Sequence, residues 1–203
     1  MVIFDALFGT VLGIISVSGY AGIFILMVLE SMVFPVPSEA VLPFAGFLIA
    51  TGQMNLAAVG IVSTIGSIVG SLISYYIGLK GGRAFVKRYG KYFLLSEKNL
   101  ENAHRFFEKR GEITILVSRF IPVIRHLISI PAGYAEMSVR KFIAFTAIGA
   151  AIWNTVLVYS GIALKDNWEI IISYTQYLDI AVALAIVALL AYFVFRKAAA
   201  KAP

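Results

Sequence analysis

Residues 19–50 read GYAGIFILMVLESMVFPVPSEAVLPFAGFLIA, an apolar run carrying Glu30, Glu39, Pro35, Pro37 and Pro43. A helix from Gly19 to Phe34 rises ~24 Å at ~1.5 Å per residue, short of a ~30 Å hydrocarbon core. Pro35 and Pro37 then break it, because proline lacks the amide donor and its ring clashes with the preceding turn. The apolar helical pattern resumes over 39–50. This spacing predicts a re-entrant hairpin over 19–50 that enters and leaves on one side. Non-helical backbone at that depth is tolerated only inside protein or beside a water-filled cavity, so the break belongs within the molecule.

The theme recurs. Residues 113–135 read ITILVSRFIPVIRHLISIPAGYA, an apolar run interrupted by Arg119, Pro122, Arg125 and Pro131, and it predicts a second re-entrant hairpin. Each hairpin is followed by a clean apolar span, 55–79 after the first and 142–164 after the second. The spans end alike, in Tyr76-Ile77-Gly78-Leu79 and Tyr159-Ser160-Gly161-Ile162. With one span between them, the hairpins enter from opposite faces, the pattern of an inverted-repeat transporter. In the first span Gly66 and Gly70 form a G-x-x-x-G, which lets another helix pack closely. A third span, 168–195, ends in Arg196 and Lys197. Residues 1–18 form either a short span or an interfacial helix, with no basic flank to orient Met1. The expected fold is an all-α membrane protein, a single membrane domain over 1–203.

Composition agrees. The chain has 203 residues, 60% hydrophobic and 14% charged, with a mean hydropathy of +0.89. No cysteine is present, and two histidines, His104 and His126, are too few for a histidine-based zinc site. No cofactor and no metal are expected. Nine of the 17 Lys and Arg fall in residues 80–110 beside three acids, Glu97, Glu101 and Glu108. That is the mark of a cytoplasmic loop and not of a nucleic-acid surface. Within 80–112, Ser96 is placed as an N-cap, Leu95 and Leu100 as a hydrophobic staple and Gly111 as a stop for one amphipathic helix. With this loop cytoplasmic in a plasma (inner) membrane protein, Arg140, Lys141 and the C-terminus lie on the same side. Lys165 is then the one basic residue outside, beside Asp166 and Glu169.

Glu30, Glu39, Arg119 and Arg125 are charged residues at membrane depth, each costing roughly 2.5–3.5 kcal/mol to insert unpaired. Two acids in one hairpin and two arginines in the other sum to zero, so hairpin tips that meet near the midplane pair the charges around a hydrated cavity. Such residues mark substrate or ion pathways, and arginine's planar fork suits phosphate, carboxylate or a similar oxyanion. Burial favours the neutral form of a carboxyl group and neighbouring arginines favour the charged form, an opposition suited to proton-coupled anion transport. Asp179 in the last span, and His126 beside Arg125, are left outside the site. Trp153 and Asn154 read as helix-packing residues.

The pattern Glu30-x4-Pro35-x-Pro37-x-Glu39, then Ser118-Arg119-Phe120-x-Pro122-x-x-Arg125 and Ala132-Gly133, resembles the DedA family, membrane proteins related to eukaryotic scramblases that share the VTT domain. The resemblance runs from about Gly19 to Lys165. It implies transport of lipids, notably flipping of polyprenyl-phosphate carriers such as undecaprenyl phosphate, with dependence on membrane potential or proton gradient. It also implies that Glu30, Glu39, Arg119 and Arg125 are the essential residues. Some members have an aspartate after Pro-Gly where this chain has Pro37-Ser38-Glu39.

Other classes compete. A carrier of a small oxyanion or ion would use the same four residues, and a structural membrane protein would use them as an ion-pair cluster. A lipid phosphatase would need S-R-x5-H-x3-D; here six residues separate Arg119 from His126, Ile130 stands where the aspartate belongs, and no P-S-G-H element occurs. The expected chain is therefore not an enzyme. Its partners are the bilayer, a phosphate-bearing lipid and protons or another coupling ion, with the oligomeric state open.

Overall fold

The computed structural model describes residues 2–32, 38–93 and 97–163. Among them are helices and turns, with no strand: α1 Val2–Ser18, α2 Tyr20–Ser31, α3 Ser38–Ala50, α4 Leu56–Phe93, α5 Glu97–Ser118, α6 Pro122–Leu127, α7 Ser129–Tyr134 and α8 Val139–Ala163. All lie in one unit, Met1–Ala163. The expected break at Pro35 and Pro37, and the expected span over 168–195 with Asp179, fall outside the described residues.

Local chemistry accounts for the breaks. Gly19, at φ 57°, turns α1 into α2, a backbone conformation that glycine adopts without steric penalty. Asn55 opens α4, its side-chain oxygen accepting the Ala58 N–H at 3.1 Å, an N-cap bond. Pro122 begins α6, where its missing N–H removes no helical bond. Pro131 does not break the chain at its own position; it is inside α7, and the interruption falls earlier, between Leu127 and Ser129. The cause is still Pro131, which cannot donate to the carbonyl four residues back, that of Leu127, and crowds it.

Among the described residues two helices are long and apolar enough to cross a membrane, Leu56–Gly81 of α4 and Val139–Ala163 of α8. They run antiparallel: Asn154 of α8 meets Ser63 and Ser67 of α4, while Phe142 packs against Tyr75 with the rings tilted by 37° and their centroids 4.9 Å apart. The basic region differs from the expected loop. α4 continues as helix to Phe93, and α5 runs from Glu97 through Gly111 to Ser118. Lysine and arginine are good helix formers, so a charged stretch leaving the bilayer need not uncoil. Gly111 does not end a helix; it lies where a side chain would press on Met137 and Phe107.

Close backbone approach at glycine holds the helices together. A Cβ on Gly46 would overlap the Val158 carbonyl and one on Gly161 the Pro43 carbonyl, so α3 and α8 cross at a glycine pair. A Cβ on Gly133 would overlap the Tyr75 carbonyl and one on Gly78 the Ile130 carbonyl, so α7 and α4 cross the same way. In both crossings each glycine faces the residue three positions before the other glycine. Gly66 and Gly70 likewise admit α2, against Phe24, Met27 and Val28. Lipid supplies little drive for helix association, so dispersion between closely packed small residues must supply it.

Two apolar clusters result. The first joins Val11, Ile15, Ile23, Leu26, Met27, Val41, Leu42, Ala45, Leu48, Val59 and Val158; the second joins Tyr75, Phe107, Ile115, Ala132, Ala135, Met137 and Phe142. Val59 and Tyr75 on α4, and Val158 and Phe142 on α8, belong to opposite clusters. The helix midpoints between them are polar, at Ser63, Ser67, Ser71, Thr146 and Asn154, all buried.

Candidate functional site

The charged side chains occupy that polar middle layer. Glu30 and Ser31 are at the end of α2, Ser38 and Glu39 at the start of α3, Arg119 just past α5 and Arg125 within α6. Each therefore sits at or beside a helix break, where backbone groups lack helical partners and side chains can converge. Glu30, Arg119 and Arg125 are each 4% exposed.

Arg125 joins the two halves of the layer. Its Nη2 donates to Glu30 at 2.7 Å and to Glu39 at 3.0 Å, and also to the Ser38 hydroxyl. Ser31 donates to the Glu30 carboxylate at 2.8 Å. Arg119 donates to the Thr146 hydroxyl at 3.0 Å, and its aliphatic stem lies over Gly149, where a Cβ would meet its Cβ and Cγ. Trp153 flanks Arg125, whose guanidinium carbon is 5.4 Å from the ring centroid, a cation–π distance.

Glu30, Ser31, Ser67, Arg119, Arg125, Ala150, Trp153 and Asn154 line one small cavity with about 10 Å³ of room for water centres, space for about one water. Among the described residues, the Nε atoms of Arg119 and Arg125 and the Nε1 of Trp153 are buried without a hydrogen-bond partner. Of the four residues predicted from sequence, Glu30, Glu39 and Arg125 are in direct ion-pair contact. Arg119 shares the cavity with Glu30 and Arg125. Glu39, on the same Arg125 nitrogen as Glu30, has its side chain 21% exposed. Ser38, Ser67, Thr146, Trp153 and Asn154 were not singled out for the site; their signal in sequence is a row of polar or donor-bearing residues on one face of an apolar span, at 146, 153 and 154.

Beside this layer, on the outer surface of α4 and α8, runs a groove of about 570 Å³ lined mostly by apolar side chains, among them Leu56, Ile61, Ile65, Ala151, Val158 and Tyr159. Among the described residues no group of three His, Cys, Asp or Glu is placed to hold a metal ion.

The VTT domain family matches residues 36–163. The chain is a VTT-domain protein. "Undecaprenyl phosphate transporter A" of Bacillus subtilis is 36% identical to it over 180 residues, 88% of this chain and 89% of that protein. "Protein DedA" of Escherichia coli is 33% identical over 165 residues, covering 75% and 74% of the two chains. This VTT-domain protein is accordingly a membrane protein of the DedA family and not an enzyme. A Lactococcus lactis relative, 41% identical over 88% of this chain and 87% of its own length, bears the name "Alkaline phosphatase-like protein". In the VTT-domain protein described above, Ser118 turns its hydroxyl back to the Ile115 carbonyl at 2.7 Å, as a helix-ending serine does. No solved structure matches the chain.

Proposed function

We propose that this protein is a transporter that moves a phosphate-bearing lipid, a polyprenyl phosphate such as undecaprenyl phosphate, from one leaflet to the other. The observation that carries the reading is the buried arginine pair, with both Nε donors unpartnered in a cavity beside Glu30. Two guanidinium groups at membrane depth are a receptor for an oxyanion. Relatives named for undecaprenyl phosphate transport agree.

Proton coupling or membrane potential drives the cycle in this reading. Glu30 and the phosphate compete for Arg125; protonating Glu30 frees the guanidinium for the lipid, and loss of the proton expels it. The cavity has room for about one water, so it must widen for the phosphate to enter. The equivalent glycine crossings, α3 on α8 and α7 on α4, support an inverted repeat in which the re-entrant hairpins of residues 19–50 and 113–135 are exchanged by a pseudo-two-fold. Such a repeat supplies the two alternating openings. Residues 80–112 and the C-terminus face the cytoplasm of the plasma membrane in this arrangement.

The mostly apolar groove on α4 and α8 supports a lipid over a small anion, because an apolar tail can lie in it. The test is transport by the purified protein in proteoliposomes, with fluorescent polyprenyl phosphate and radiolabelled inorganic phosphate compared under an imposed proton gradient. Movement of the lipid alone is the expected result. Uptake of inorganic phosphate without lipid movement would assign a small-anion carrier instead.

A further inference from the structure

We propose that Trp153 is a third anion-binding residue, its indole N–H donating to the phosphate beside the Nε atoms of Arg119 and Arg125. The proposal rests on the phosphate-lipid reading and adds to it a neutral donor from α8. Three observations lead to it.

First, among the described residues Trp153 Nε1 is buried without an acceptor, and so are the Nε atoms of Arg119 and Arg125, and all three residues line the same cavity. Buried donors are nearly always paired, so three in one small cavity require an explanation. All three can only donate, and a ligand that satisfies them together must present several acceptor atoms. The Glu30 carboxylate already receives Arg125 and Ser31, and a single water has too few lone pairs for three donors. A phosphate offers acceptor oxygens in three directions.

Second, the indole is held in place from two sides. Arg125 lies over its ring at 5.4 Å and Phe120 meets it edge-on with centroids 6.3 Å apart. Packing on both sides fixes the direction of the N–H, which is the preorganisation a binding donor needs. Third, a neutral donor adds a hydrogen bond to the phosphate without a further buried charge to be compensated after the phosphate leaves. Trp153 and Asn154 also occupy the α8 stretch that faces Ser67 of α4 across the cavity, so the donor would follow any movement of α8 relative to the hairpins.

The test uses the intact chain in detergent with farnesyl phosphate as the probe and farnesol as its phosphate-free control. The chain has two tryptophans, so Trp168→Phe leaves Trp153 as the sole tryptophan, excited selectively at the red edge of its absorption. Its emission should change saturably with farnesyl phosphate and not with farnesol. Calorimetric titration of Trp153→Phe, which keeps an aromatic face for Arg125 but lacks the N–H, should show affinity reduced about tenfold, the scale of one hydrogen bond to a charged group. Binding by Trp153→Phe within twofold of native, or an unmoved emission while the native protein binds, would overturn the proposal and leave the arginine pair standing. Should Trp153→Phe fail to fold, the emission of the single-tryptophan protein decides. Absence of farnesyl phosphate binding by the native protein would overturn both this proposal and the lipid reading beneath it.

Discussion

Arg125 directs one terminal nitrogen at three acceptors, the carboxylates of Glu30 and Glu39 and the hydroxyl of Ser38. A terminal nitrogen of a guanidinium carries two hydrogens, so at least one is shared, and Nε is left without an acceptor. The ion pairs tie α6 to α2 and α3 without exhausting the arginine. Removing it should be severe, because Glu30 and Glu39 lose a common partner: Arg125→Ala is expected to destabilise the protein by about 3–5 kcal/mol. Thermal unfolding in detergent checks this, and adding Glu30→Gln to Arg125→Ala should restore part of the loss. An Arg125→Ala protein as stable as native would show that the cluster does not bind the hairpins. At this scale the charged residues were legible in sequence, since a charge in an apolar run is conspicuous. Thr146, Trp153 and Asn154 were not, because uncharged polar residues inside a span look the same whether they pack against a helix or face a site. Their role depends on which face of α8 is turned to Arg119 and Arg125, and that is fixed only by the glycine crossings.

Among the elements, the crossings of α3 with α8 and of α7 with α4 position the charged layer. Each depends on backbone contact at glycine, so Gly133→Ala and Gly161→Ala should each destabilise by at least the ~1–3 kcal/mol of ordinary overpacking, since the obstacle is a carbonyl that cannot rotate away. Gly60 is the control: nothing lies within 4 Å of a Cβ built there, and Gly60→Ala should leave unfolding unchanged or slightly delayed, as alanine favours the helix. Melting curves of the three variants test the crossings, and a Gly60→Ala loss equal to the others would contradict the account. The likeness of residues 76–79 to 159–162 was the visible trace of these crossings, since Gly78 and Gly161 are their contact points. The course of α4 beyond Gly81 was not visible. Two glycines and a basic run resemble a loop on paper, yet nothing in lysine or arginine opposes continuing a helix into water. The interruption before α7 shows a similar displacement: Pro131 acts on the carbonyl four residues before it, so the break appears at Ile128.

At the scale of the whole molecule, the charged layer lies between two apolar clusters and encloses room for about one water, and α4 and α8 carry an apolar groove. In the proposed cycle a phosphate must replace an internal ion pair to pass. Coupling to protons follows in this account from the competition between Glu30 and the phosphate for Arg125. Glu30→Gln should therefore keep phosphate-lipid binding while making transport insensitive to an imposed proton gradient. Comparison of flipping rates with and without the gradient checks this. The measurement that bears most directly on the central claim is transbilayer movement of a fluorescent polyprenyl phosphate in proteoliposomes, comparing native protein with Arg119→Ala and Arg125→Ala reconstituted in equal folded amounts. The account predicts flipping by the native protein and its loss, by a hundredfold or more on the scale of a removed charged contact, in both variants. Flipping that persists at the native rate in either folded variant would contradict the assignment of the arginine pair to the phosphate.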